Sequence, residues 1–349
     1  MTSGRHTPLS TLGQGNGVSP QPGASGPRFG DSHLNSLILS HLEDVEDMLV
    51  DELRQGDEIL TDKALHLVKA GGKRFRPMFC LLASSYGEDP MNRNVVRAAA
   101  VIEMTHLATL YHDDVMDEAE RRRGVDSVNE RWNNSVAILA GDHLIARASG
   151  IMADLGVPTI RHFGETFGRL VTGQMRETIG PRDDDLIGHY MRVIEEKTGV
   201  LIASAGYLGA LHGGASEAHT AALQDFGAEL GIVFQIVDDI IDIFSAPDTS
   251  GKQRGTDLKE GVITLPVVYA MSEGTADAAR LKEILDAPER DELIDEALDL
   301  VANSGAKARA LRDVDEHVAR AKAALAGLPD CPATRALEQL ADYSRARLS

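Results

Sequence analysis

The chain has 349 residues, 43% of them apolar and only 4% aromatic. That apolar share supports a sizeable core and excludes global disorder, and a core of Ala, Leu, Val and Ile favours packed helices over a β-sandwich. With 35 Lys and Arg against 54 Asp and Glu, the net charge of −19 argues against general nucleic-acid binding, so any anionic substrate must be met by a local basic cluster or by metal ions.

Residues 1–30 hold seven Gly, four Pro and four Ser and no acidic residue, a composition that predicts a disordered tail. They lack the apolar run of a secretory signal. Residues 31–349 read as one all-α domain. Leu34, Leu37, Ile38, Leu42, Val45 and Leu49 mark the stripe of an amphipathic helix. Similar spacing predicts helices over 95–112, 135–155, 161–179, 186–212, 217–245, 261–271, 276–301 and 304–326. Apolar–polar alternation of strand length is missing, and Pro77, Pro90, Pro158, Pro181, Pro247, Pro288 and Pro329 fall where helices start or stop. The expected fold is a single large bundle of ten or more helices. Two cysteines, Cys80 and Cys331, make neither a disulfide framework nor a four-Cys zinc site, and they suit a reduced, cytoplasmic setting. No window approaches 18 consecutive apolar residues, so no membrane-spanning helix is expected.

Two acidic clusters interrupt this pattern. Asp113, Asp114 and Asp117 end one apolar helical run, and Asp238, Asp239 and Asp242 end another, 125 residues further on. Both read DDxxD. On a helix the first and fifth positions share a face, with the second beside them. Carboxylates so close raise each other's pKa unless cations sit among them. The chemistry that suits this is Mg²⁺ held by carboxylates on one side and phosphate oxygens on the other. One such cluster is as readily a solvated helix end; a pair, each closing an apolar run, is not.

Cations accompany the acids. Gly71-Gly72-Lys73-Arg74-Phe75-Arg76-Pro77 is a glycine turn followed by three cations, suited to close backbone approach and to diphosphate. Arg121-Arg122-Arg123-Gly124 follows the first acidic cluster, and Gly251-Lys252-Gln253-Arg254 follows the second. Glu195-Glu196-Lys197-Thr198 lies in a helical stretch. The arrangement suggests two anionic substrates, one held through metals and one directly by Lys and Arg. Asp183-Asp184-Asp185 reads as an exposed first helical turn favoured by the dipole. Arg345 and Arg347 could approach the site from the end of the last helix, although the chain end reads first as exposed.

The stretches GGKRFRP, HLATLYHDDVMD with the following RRRG, EEKTG, FQIVDDIID, GKQRGTDLKEG and TLP resemble the trans-polyprenyl diphosphate synthase family, long-chain type. The resemblance spans about residues 31–349 and implies the all-α isoprenoid synthase fold. It also implies a magnesium-dependent prenyltransferase that condenses isopentenyl diphosphate with an allylic diphosphate, farnesyl or geranylgeranyl diphosphate, and acts as a homodimer. Asp113, Asp114 and Asp117, with Asp238, Asp239 and Asp242, would hold the metal. Lys73, Arg76, His106 and Arg123 would bind the diphosphate of isopentenyl diphosphate; Arg122, Lys197 and Lys252 would bind the allylic one. Thr198 and Gln235 would line the reacting carbons. Val262 stands where the family often carries Lys before Thr-Leu-Pro. Ala108 and Thr109 stand where a bulky aromatic would shorten the product, so a product of about C30–C50 is expected, with a floor near Leu144 to Ile151. A class I terpene cyclase is the first alternative, disfavoured by the DDIID of the second cluster. A non-catalytic subunit of a heteromeric synthase is the second, disfavoured by two intact clusters.

Overall fold

In the computed structural model, residues 29–55, 57–182, 184–244, 254–287 and 290–348 are described. Of the tail expected over residues 1–30, residues 1–28 lie outside them, as do Lys252 and Asp183. Phe29 is buried in the core and Gly30 donates its N–H to Gln339 Oε1 at 3.2 Å, so the packed body begins by Phe29.

The longer helices are α1 (Ser32–Arg54), α2 (Phe75–Ser84), α3 (Arg93–Met116), α4 (Asn134–Leu155), α5 (Val157–Ile179), α6 (Leu186–Ile194), α7 (Val200–Gly213), α8 (Glu217–Phe244), α9 (Ala276–Asp286), α10 (Ile294–Ala302), α11 (Ala306–Ala324) and α12 (Pro332–Ala346). The expected all-α bundle is present. Caps set several starts: Asp31 accepts from the Leu34 N–H at 2.8 Å, and Asp185, expected in an exposed first turn, caps α6 through the Gly188 N–H. Pro158 and Pro332 sit at the first turns of α5 and α12.

Four features depart from the sequence pattern. α2 escaped it because Pro77 to Ser84 are all buried, leaving no polar face to mark a stripe. The 276–301 stretch divides into α9 and α10, with Pro288 between them in sequence. The 186–212 stretch runs through α6 and α7 but contains a π-helical turn at Glu195–Gly199. A two-residue hairpin pairs Arg121 with Asp126 and Arg122 with Val125, too short for alternation to reveal.

α8 joins two apolar clusters. Its Leu223, Phe226 and Leu230 belong to the first, with residues of α1, α2, α3, α4, α7 and α12. Its Ile232 to Ile243 belong to the second, with α6, α10, α11 and the short helix Leu265–Met271. α4 is long and apolar enough to match a bilayer by length and composition. Its Ala137, Ala140, Leu144, Ala148 and Ile151 are nonetheless buried in the core, and it carries Asp142 and Arg147, as in a bundle helix.

Candidate active site

A cavity of about 1010 Å³ lies among α3, α4, α5, α7 and α8. Lys73, Arg76, His106, Arg122, Arg123, Asp113, Lys197, Thr198, Gln235 and Asp238 all line it. Residues expected at the site from five separate stretches of sequence thus meet at one place.

The basic side is built on the loop before α2. Gly72 has φ +154°, and a Cβ there would stand 3.0 Å from the Arg123 guanidinium, so the loop backbone lies directly on that side chain. Arg74 adopts a left-handed φ of 45° and is buried at the edge of the same cavity, held by acidic partners. Its Nε and Nη2 grip the Glu46 carboxylate and its Nη1 donates to Glu103 Oε1 at 2.7 Å. Arg123 donates to the carbonyls of Leu67 and Gly71 and stands 3.5 Å from Glu103. Burial pulls the Arg76 pKa down to about 10 and leaves its Nε without a partner. Burial, reinforced by Arg76 and Arg123, holds His106 well below the usual imidazole range.

The acidic residues divide. Asp113 and Asp238 face the cavity, with Asp117 exposed at the end of α3. Burial raises the Asp113 carboxyl to about 6, with Lys197 opposing and Asp117 adding to the shift. Asp114 is fully buried instead, and Arg122 Nε donates to its Oδ1 at 2.6 Å. Asp239 is buried against α6: Tyr190 Oη donates to its Oδ2 at 2.5 Å and Gln235 Nε2 to its Oδ1 at 2.9 Å. Burial lifts the Asp239 pKa to about 8. Asp242 accepts the Thr256 and Asp257 N–H groups and holds the chain that follows α8.

The π turn places Lys197 and Thr198 together on the cavity wall. α5 reaches it through Gly173, where a Cβ would come within 2.6 Å of the Lys197 backbone nitrogen. Lys197 Nζ contacts Glu177, and the pull of Glu177, Asp113 and Asp117 outweighs burial and raises its pKa. Thr198 Oγ1 donates to Gln235 Oε1 at 3.1 Å.

The donor set fits a hard divalent ion. Asp113 and Asp117 are destabilised as anions without a cation beyond Lys197 and Arg122, and Asp114 Oδ2 is buried without a partner. Among the described residues no three such ligands already converge on one point.

Sequence reasoning missed several contributors. Gln174 of α5 lines the cavity, and Glu177, one turn on, pairs with Lys197; their three-residue helical spacing was the available signal. Of the two arginines that could reach the site from the chain end but read first as exposed, Arg347 lines the cavity, whereas Arg345 pairs at the surface with Asp315. Nothing in local sequence shows where α12 delivers its last turn.

Comparison with known proteins accords with this geometry. A polyprenyl synthetase family profile matches residues 57–301. The chain is 48% identical over 331 residues to a nonaprenyl diphosphate synthase of Mycobacterium tuberculosis, covering 94% of this chain and 99% of that one. It is 32% identical to an octaprenyl diphosphate synthase of Escherichia coli over 88% of this chain and 96% of that one. A crystal structure of geranylgeranyl pyrophosphate synthase from Corynebacterium glutamicum, complexed with calcium and isoprenyl diphosphate, superposes with a TM-score of 0.84 at 55% identity. That match covers 92% of this chain and 99% of the other. The chain belongs to the polyprenyl synthetase family and is a prenyltransferase, a trans-polyprenyl diphosphate synthase.

Proposed function

We propose that the enzyme uses magnesium to join isopentenyl diphosphate to an allylic primer, farnesyl or geranylgeranyl diphosphate, and releases a trans-polyprenyl diphosphate of about C30–C50. One observation carries the reading: carboxylates from α3 and α8 meet a separate set of Lys and Arg at one cavity. The names of the nonaprenyl and octaprenyl relatives support a long product, as do the small Ala108 and Thr109 on the wall.

Asp113, Asp117 and Asp238 would hold the metal, which neutralises charge on the allylic diphosphate as its C–O bond breaks. Asp114 supports this side by fixing Arg122, and Asp239 by fixing Gln235. Arg122, Lys197 and Lys252 bind the allylic diphosphate. Lys73, Arg76, His106 and Arg123 bind that of isopentenyl diphosphate. The oxygens of Thr198 and Gln235 face the allylic cation, which the isopentenyl double bond attacks. The departing diphosphate takes the proton then lost. Apolar walls at Phe167, Leu170 and Ile202 keep water from the cation.

The enzyme acts as a homodimer in this reading. Val157, Ile160, Val171, Met175 and Ile179 form an exposed apolar stripe on α5, beside Ile138 and Leu139 of α4, a surface that a second copy would cover. A cytoplasmic location accords with two free cysteines.

The test is extension in vitro by the purified chain with Mg²⁺, isopentenyl diphosphate and either primer. A discrete long polyprenyl diphosphate, lost with EDTA or in Asp113→Ala, is expected. No extension from any primer overturns the reading.

A further inference from the structure

The cavity touches α4 at Ile138 and Asp142 and does not reach Leu144 to Ile151, expected to form its floor. Among the described residues, four acids line it: Asp113, Asp238, Asp142 and Glu103. Asp113 and Asp238 belong to the metal side, and Asp142 stands 3.4 Å from His112. Glu103 has neither part. It lies one turn before His106 on α3, only 2% exposed, among the cations assigned to isopentenyl diphosphate. Its Oε1 accepts from Arg74 Nη1 at 2.7 Å and stands 3.5 Å from Arg123 Nη2. Burial lowers the pKa of both Arg76 and Arg123, and the charge of Glu103 is the largest opposing pull on each.

A buried anion in a diphosphate cradle lowers affinity, because it repels the ligand at short range with little water between them. The reaction gives that repulsion a use. The allylic C–O bond breaks, and its electron pair leaves with the allylic diphosphate. The isopentenyl double bond supplies the electrons of the new C–C bond, and the departing diphosphate takes the proton then lost. The elongated chain therefore carries the diphosphate that came with isopentenyl diphosphate, still in the cradle of Lys73, Arg76 and Arg123. The next condensation needs that group on the side of Asp113 and Asp238. A cradle of uncompensated cations would keep it where it is.

We propose that Glu103 is a positioning residue that weakens the isopentenyl site: it competes for the guanidinium groups of Arg74 and Arg123, so that the diphosphate of the elongated chain leaves for the metal side before each further condensation. The inference rests on the prenyl-extension reading above. Glu46 provides an internal comparison, because it pairs with the same Arg74 but does not line the cavity.

The test uses Glu103→Gln, which keeps an acceptor for Arg74 and removes the charge, with circular dichroism and melting curves to verify folding. Calorimetry with inorganic diphosphate, without magnesium, should show binding about tenfold tighter than in the parent, and the KM for isopentenyl diphosphate should fall with it. In rapid-quench extension the first condensation should keep its rate, and the second should slow about tenfold. Glu46→Gln should match the parent in all three measurements. Should Glu103→Gln fail to fold, Glu103→Asp is read instead: it keeps the charge and should keep the parent's affinity and rates. Unchanged or weaker diphosphate binding in Glu103→Gln, equal changes in Glu46→Gln, or altered affinity in Glu103→Asp would overturn the proposal. The calorimetry is read whether or not the chain extends a primer. Failure of the parent enzyme to extend any primer would instead overturn the prenyl-extension reading.

Discussion

The guanidinium of Arg347 rests on Asp238. Its Nη2 donates to Oδ1 at 2.5 Å, the group stands 5.2 Å over the Phe234 ring, and Nη1 is buried without a partner. Arg347 also lies close enough to Lys73 to help lower its pKa, after burial. A metal ion at Asp238 would displace this contact and free the guanidinium for a diphosphate beside Lys73. Arg347→Gln should therefore raise the KM for isopentenyl diphosphate about tenfold, the loss of roughly one charge-assisted hydrogen bond. The same variant should reach half-maximal rate at lower magnesium. Steady-state kinetics over a magnesium series checks both, and an unchanged KM would confine Arg347 to pairing with Asp238.

Arg74 supports the substrate loop by tying it to Glu46 and Glu103. Removing it leaves Glu103, 2% exposed, with Arg123 alone 3.5 Å away. Breaking such a buried pair costs about 3–5 kcal/mol, so Arg74→Ala should lower the urea midpoint markedly. Arg74→Lys should recover little, because an ammonium cannot reproduce the fork that grips Glu46. A loss below about 1 kcal/mol in either variant would contradict this account.

His162 makes stability depend on acid. Burial lowers its pKa from 6.5 to about 4, so the unfolded chain binds this proton more tightly than the folded one. Its contribution is then full above about pH 6.5, declines as pH falls towards 4, and changes no further below that. The upper bound is about 3 kcal/mol, reduced by partial exposure. Denaturant titrations from pH 7 to 4 should show a shallower decline in His162→Gln than in the parent. Parallel declines would mean the ring is not desolvated in solution.

The fold was legible because its amphipathic stripes repeat every three to four residues. α2 was hidden by uniform burial, and the π turn left an unbroken apolar pattern. At the site, DDxxD located both acidic clusters but did not say which carboxylate faces inward. The second position of each motif is turned about 100° from the first. That rotation carries Asp114 onto Arg122 and Asp239 onto Tyr190 and Gln235, away from the cavity that Asp113 and Asp238 line. Partners such as Tyr190, Glu177 and Arg347 come from other elements, so only tertiary packing could reveal them.

Tyr190 tests that second layer. Its hydroxyl holds Asp239, which holds the Gln235 amide, whose Oε1 receives the Thr198 hydroxyl. The relay fixes the amide with its oxygen towards Thr198, the orientation that favours a developing cation. Tyr190→Phe keeps the ring in the second apolar cluster but removes the donor to Asp239 Oδ2. The carboxylate is then free to turn, and Gln235 loses its fixed partner. A fall in kcat of about tenfold, or ~1.4 kcal/mol in the barrier, is expected with KM for both substrates nearly unchanged. Neither diphosphate is bound by these groups, so a rise in KM without a fall in kcat would show that Tyr190 acts on substrate binding and would break the proposed link to Gln235.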